Sequence, residues 1–188
     1  MVARAGHRRA AALSGALRQM PGLVFEAHST DYQPEQALRR LVVDGFPILK
    51  VGPGLTFALR EALYGLDAID AVLNPDAPRL ATTMEALMLA QPEHWRNHYP
   101  GTATERRVLR HYSDRIRYYW PAPEAREAVG GLLKRLGRTT IPATLISQHL
   151  PRLYERADMG QLDAKPRALL IESVRDVLRT YSRACGNT

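Results

Sequence analysis

The chain has 188 residues, with 26 Lys and Arg against 19 Asp and Glu, a net charge of +7, and one cysteine, Cys185. The length suits one ordinary domain with a core, and a single cysteine excludes a disulfide framework and points to the cytoplasm. No run approaches the ~18 apolar residues of a membrane span, and Met1 is not followed by a secretory signal pattern. Positive charge suits nucleic acid, anionic membrane or phosphorylated substrates. The sequence carries no zinc knuckle, RNP-like aromatic motif or helix-turn-helix signal. A solvated arginine-rich surface is the plainer reading, with no nucleic acid and no membrane as partner.

Apolar spacing predicts a helix over Arg8 to Met20, closed by Pro21-Gly22. Leu23 to His28 reads as a strand, Pro34 to Val43 as a helix and Asp44-Gly45 as a turn. Phe46 to Val51 reads as a second strand, with Pro47 tolerable only near its start. Thr56 to Leu73 follows as a helix with Leu59, Leu63, Leu66, Ile69 and Leu73 on one face. Past the break at Asn74 to Pro78, no convincing strand remains. Helices are expected over Thr83 to His94, from a Thr104 cap to Trp120, over Glu124 to Leu136, and after Pro142 with a break at Pro151. The last, with Asp163 as a cap and Pro166 in its first turn, should bury Leu170, Val174, Val177 and Tyr181.

Strand, helix, strand implies a parallel pair with a right-handed crossover. The fold class is therefore α/β, with an all-helical second part. Two parallel strands leave two edges, so the chain is expected either to belong to a larger α/β protein or to pair with another chain.

Side chains alternate across a strand, which puts Glu26 and His28 on one face of the first and Lys50 on the mixed face of the second. Both strands end where ligands bind in α/β folds, and these three groups are expected to point into a barrel interior or crevice. Each has more than one reading. His28 can bind a divalent metal, act as acid or base, or cap a loop. Glu26 and Lys50 can be catalytic or form a buried ion pair. Ser29, Thr30 and Asp31 can hold a phosphate or sugar hydroxyl, or cap the next helix. Tyr32 can meet a ligand or pack on a loop. Gly52-Pro53-Gly54 precedes a helix, where backbone N–H groups favour a phosphate, yet a tight turn explains the glycines equally well. Further on, the arginines from Arg106 to Arg117 are expected on a solvated face beside the stripe Val108, Leu109, Tyr112, Ile116 and Tyr119. The loop from Trp95 to Gly101 either closes over something or packs between helices.

The segments FEAHSTDYQ and DGFPILKVGPGLTFALREALYGLDAID, followed by HWRNHYPG, HYSDRIRYYW and IPATLISQHLPRLYERADMG, resemble the GatZ/KbaZ family. These are subunits associated with class II D-tagatose-1,6-bisphosphate aldolase. The resemblance implies the C-terminal part of a TIM-type βα-barrel, its last two strands within residues 1–75, and a helical extension over 76–188. It also implies six earlier strands, so an N-terminally truncated product or fragment is expected. By position it implies a zinc or other divalent metal at His28 and a sugar phosphate near Ser29 and the Lys50-Val51-Gly52 turn. Asp31 and Tyr32 join Ser29 and Gly52 as candidate substrate- or phosphate-binding residues from the reading of the loop itself. Glu26 and Lys50 are the candidate catalytic groups. The function it implies is mostly non-catalytic support of a GatY/KbaY-type aldolase in galactitol and N-acetylgalactosamine catabolism. The alternatives are a metal-dependent ketohexose-phosphate 4-epimerase or aldolase, and a non-functional remnant. The sequence has no Gly-x-x-x-x-Gly-Lys-Ser/Thr loop to support a kinase.

Overall fold

The computed structural model describes residues 12–17 and 19–187. Of the expected first helix, residues 12–17 are helical (α1), while 8–11 and 18 lie outside the described residues. The chain divides into two compact units, Met1–Leu55 with Arg175–Thr188, and Thr56–Val174. The end of the last helix groups with the strands.

In the first unit, β1 (Glu26–Ala27) and β2 (Ile48–Leu49) flank α2 (Glu35–Val43). They pair in parallel, Glu26 opposite Ile48 and Ala27 opposite Leu49. The orientation matches the expectation, but each strand is far shorter. In this register Phe25 faces Pro47, which has no N–H to extend the ladder. At the other end Lys50 N still donates to Ala27 O at 2.9 Å, after which Ser29 turns to φ 58° and ends the strand. Phe25 and Phe46 stack with ring centroids 5.3 Å apart. Leu38 of α2 is wholly buried.

The described residues of the second unit are helical or irregular. Helix α3 (Pro53–Leu73), which starts in the first unit, is followed by α4 (Leu80–Ala90), α5 (Ala103–Tyr112) and α6 (Pro123–Leu136). Then come α7 (Ala143–His149), α8 (Pro151–Asp158) and α9 (Pro166–Ala184). Most of the expected apolar face of α3 is real: Leu73, at the last turn, is exposed and Leu59 is half-buried, but Leu63, Leu66 and Ile69 are almost wholly buried. Each such side chain stabilises the fold by roughly 1.5–3 kcal/mol. They pack in one core with Met84, Met88, Ile116, Tyr119, Leu132 and Ile146.

A second, polar stripe runs along α3 at the same helical spacing: Arg60, Tyr64, Asp67 and Asp70. Arg60 Nη1 donates to Ser113 O at 3.2 Å, and Tyr64 Oη lies 3.1 Å from His111 Nδ1. Asp67 accepts from the N–H groups of Leu80 (2.8 Å) and Ala81 (3.2 Å), capping α4. Asp70, wholly buried, accepts from Arg79 Nη2 at 3.1 Å and from Arg135 Nε and Nη2 at 2.9 and 2.7 Å. This cap explains why α4 begins at Leu80 instead of the expected Thr83. The Thr83 hydroxyl instead donates back to Arg79 O. Pro92, which has no N–H, then opens a 3-10 turn over Pro92–His94 in place of more helix.

The helix expected up to Trp120 is also interrupted. Thr102, not Thr104, is its cap, in a reciprocal pair with Glu105. The helix stops at Tyr112, Ser113 is extended, and a 3-10 turn covers Asp114–Tyr118. The predicted apolar face is broken accordingly. Ile116 and Tyr119 are buried, Leu109 is half-buried, and Val108 and Tyr112 are exposed. Nor is the arginine run a uniformly solvated face, since Arg110 is buried. The Trp95–Gly101 loop packs inward: Trp95 and Tyr99 are buried, and Trp95 Nε1 donates to Met88 O at 2.6 Å. In α9, Leu169 and Leu170 are buried, with Val174, Val177 and Tyr181 half-buried.

Helix α3 passes so close to the α7–α8 junction that a Cβ on Gly65 would lie 2.6 Å from Leu150 Cδ2 and 2.7 Å from His149 O. We expect Gly65→Ala to destabilise the protein by about 1–3 kcal/mol, because the carbonyl cannot swing aside. Asp70→Asn should cost more, roughly 3 kcal/mol, the lower end of the range for breaking a buried ion pair. The lower end applies because the side chains of Arg79 and Arg135 are 24% and 25% exposed and water can reach them. Urea unfolding of both variants checks the order.

Candidate functional site

The ends of β1 and β2 bring the sequence-predicted groups together. His28 Nε2 lies 2.8 Å from Glu26 Oε1, and Lys50 Nζ lies 4.0 Å from the same oxygen. One carboxylate oxygen thus faces an imidazole and an ammonium. The expectation that these three point into an enclosed interior is not met in the described structure. Their side chains are 41%, 64% and 61% exposed for Glu26, His28 and Lys50, while Ala27 on the opposite face is buried. The buried-pair reading of Glu26 and Lys50 is corrected for the same reason, and an exposed pair of this kind contributes little stability.

The loop between β1 and α2 is held with unusual firmness. Ser29 (φ 58°) and Tyr32 (φ 63°) are the described non-glycine residues with positive φ, a conformation that persists only where the surroundings impose it. Thr30 is 2% exposed, and its Oγ1 donates to Lys50 O at 2.6 Å. Tyr181 Oη, from the end of α9, donates to Thr30 O at 2.9 Å and lies 3.1 Å from Thr30 Oγ1. Burial raises the Tyr181 hydroxyl above its ordinary pKa, and the nearby Asp31 charge adds to that against the opposing Thr30 hydrogen bond, so it stays a donor.

Asp31 Oδ1 accepts from Gly52 N at 3.1 Å and Gly54 N at 2.7 Å. The carboxylate therefore sits where the first N–H groups of α3 point, and α3 starts at Pro53, three residues before the expected Thr56. A Cβ on Gly54 would come 3.1 Å from that oxygen, so a larger residue there would require the Asp31 carboxylate to shift by a few tenths of an ångström. Of the readings open for Asp31 and Gly52, the helix-capping one describes the geometry. The N–H donors a phosphate would use are engaged by Asp31. Ser29 and Tyr32 are exposed beside them.

Zinc would need more donors than this. Glu26 and His28 offer two, and among the described residues no group of three or more His, Cys, Asp or Glu could hold a metal ion. The described residues do not by themselves fit a metal.

A second titratable cluster, not singled out in the sequence, lies in the other unit. Arg110 grips Glu85 through Nε (3.1 Å) and a short Nη2 contact, with its guanidinium 4.6 Å from the Trp95 ring centroid. His111 Nε2 is 3.1 Å from Glu85 Oε2 but off the line of a hydrogen bond, while Nδ1 meets Tyr64 Oη. Burial works against the Glu85 charge, but the hydrogen bond and charge of Arg110, with His111 and Arg107, outweigh it and lower the pKa. Burial lowers the His111 pKa; Glu85 pulls it up, and Arg107 and Arg110 push it down. Burial likewise raises the Tyr64 pKa. Carboxylate, imidazole and phenol in line look like a proton relay, but they join α3, α4 and α5 within the packed core, and we assign them a structural role.

The fold and site define a parallel βα unit with a polar strand-end cluster and an all-helical companion. The model of the D-tagatose-1,6-bisphosphate aldolase subunit GatZ/KbaZ-like family matches residues 1–186, and the chain belongs to that family. It is similar to a crystal structure described as a probable tagatose 6 phosphate kinase from Sinorhizobium meliloti 1021. The two are 53% identical with a TM-score of 0.91, over 95% of this chain and 47% of that one. The chain thus spans about half the length of this relative. No helix among the described residues is long and apolar enough to cross a membrane.

Because the folded pKa of His111 is lowered, the unfolded chain takes up a proton that the folded chain refuses. This contribution to stability is complete above the ordinary imidazole pKa of about 6.5 and is lost as pH falls through the folded value. Stability measured by urea unfolding should therefore decline as pH falls below about 6.5, and His111→Gln should flatten that part of the profile. Asp31→Ala should remove a helix cap, costing about 1 kcal/mol in the same assay.

Proposed function

We propose that this chain is part of a supporting subunit of class II tagatose-bisphosphate aldolase, acting on the catalytic subunit by contact, in cytoplasmic galactitol and N-acetylgalactosamine catabolism. The observation that carries this is the family match across residues 1–186. On this reading β1 and β2 are the last two strands of a βα-barrel, and residues 76–188 are its helical extension. Their parallel register and the single crossover helix support that placement.

So does the surface near them. Leu23, Val24 and Ile48 are exposed, at 62%, 61% and 46%. Large apolar side chains beside an open strand pair are what further strands or a partner subunit cover. Glu26, His28 and Lys50 then stand at the edge where α/β proteins take ligands, with Ser29 and Tyr32 able to meet a sugar phosphate. A zinc at His28 would draw its remaining ligands from outside the described residues, and nothing in the proposal depends on it.

The related structure's description names a tagatose phosphate but a different reaction. A kinase of the P-loop type cradles phosphates on backbone N–H groups of a Gly-rich loop ending in Lys-Ser/Thr. The nearest feature here, the Gly52-Pro53-Gly54 turn, already donates to Asp31. Contact with a partner is therefore the better reading.

The test is the decay of tagatose-1,6-bisphosphate cleavage by the catalytic subunit, incubated warm with and without this chain. We expect a longer half-life with it. Identical decay curves at saturating concentration would sink the proposal.

A further inference from the structure

The strand-end cluster and the C-terminal end of the chain are 151 positions apart in sequence yet bonded directly, at Thr30 and Tyr181. We propose that the last turns of α9 are a working part of the strand-end site, with Tyr181 as the positioning residue that sets the backbone at His28 and Lys50. The inference rests on reading that cluster as the site, and not on which ligand or partner uses it.

The argument follows the bonds. Tyr181 Oη donates to Thr30 O, and Thr30 Oγ1 donates to Lys50 O. Lys50 N in turn donates to Ala27 O, so the Lys50 peptide units are gripped on both sides. His28 immediately precedes Ser29, one of the two positive-φ residues, and Thr30 lies between these two. Fixing Thr30 therefore fixes the direction in which the chain leaves His28. Asp31, next along, carries the hold onward to Gly52 and Gly54. A loop that stores strain at two residues opens unless several bonds hold it. Here the bonds converge on Thr30, 2% exposed, and the outermost comes from Tyr181. A second tie, Arg183 Nε to Glu35 Oε2 at 2.8 Å, joins α9 to α2, but both side chains are well exposed, so it contributes less.

A merely structural hydroxyl and a positioning one differ in where the effect of losing it appears. Amide hydrogen exchange on the full chain separates them, comparing Tyr181→Phe with the parent. The reporting amides are Lys50, Gly52 and Gly54; the controls, in the same unit, are Asp44 and Phe46 at the end of α2. We expect about five- to tenfold faster exchange at the reporters, the effect of losing one net hydrogen bond of ordinary strength, and no change at the controls. Thr30→Val should reproduce that pattern, and Thr30→Ser, which keeps the hydroxyl, should restore the parent rates. Equal acceleration at reporters and controls, or unchanged reporters, would overturn the proposal. None of these outcomes depends on the partner aldolase, so failure of the supporting-subunit reading is distinguishable from failure here.

Discussion

The polar stripe of α3 is the constraint on which the second unit depends. A helix that buries Leu63, Leu66 and Ile69 on one side must still satisfy whatever polar groups lie beside them. Arg60, Tyr64, Asp67 and Asp70 do so by each reaching a different neighbour: the carbonyl that ends α5, the imidazole of His111, the start of α4, and two arginines at Arg79 and Arg135. Apolar packing tolerates sliding, whereas these directional bonds do not. The stripe therefore fixes the register of α4, α5 and α6 against α3, and the apolar side fills in around that register.

The first unit works on a different principle. Its sheet is two residues deep, too small to hold itself by ladder hydrogen bonds alone. The loops take over that task. Asp31 closes the start of α3, Thr30 closes the end of β2, and Tyr181 closes Thr30. The chemistry-bearing groups Glu26, His28 and Lys50 are thus presented on an ordered backbone while remaining exposed. The cluster is ordered but open, with apolar Leu23, Val24 and Ile48 exposed on the same strand segments, and on the proposed reading further chain covers it. That agrees with a sequence matching its family over residues 1–186 and a related structure over 47% of that structure's length.

Much was legible in the sequence because it is written locally. The order of elements follows from apolar spacing and from Pro and Gly. The parallel pair follows from strand–helix–strand, and the grouping of Glu26, His28 and Lys50 from alternation across a strand. The family was legible too, from long motifs in order. What the sequence could not determine were the features made by bonds between distant residues. Strand length was decided by Pro47 falling opposite Phe25, which needs the register. The starts of α3 and α4 were decided by Asp31 and Asp67, caps 22 and 13 positions before the helix residues Pro53 and Leu80. The burial of Arg110 was decided by Glu85, and the role of Tyr181 by Thr30. Propensity and periodicity act over a few residues, whereas a carboxylate or hydroxyl chooses its partner only once folding has brought the two together.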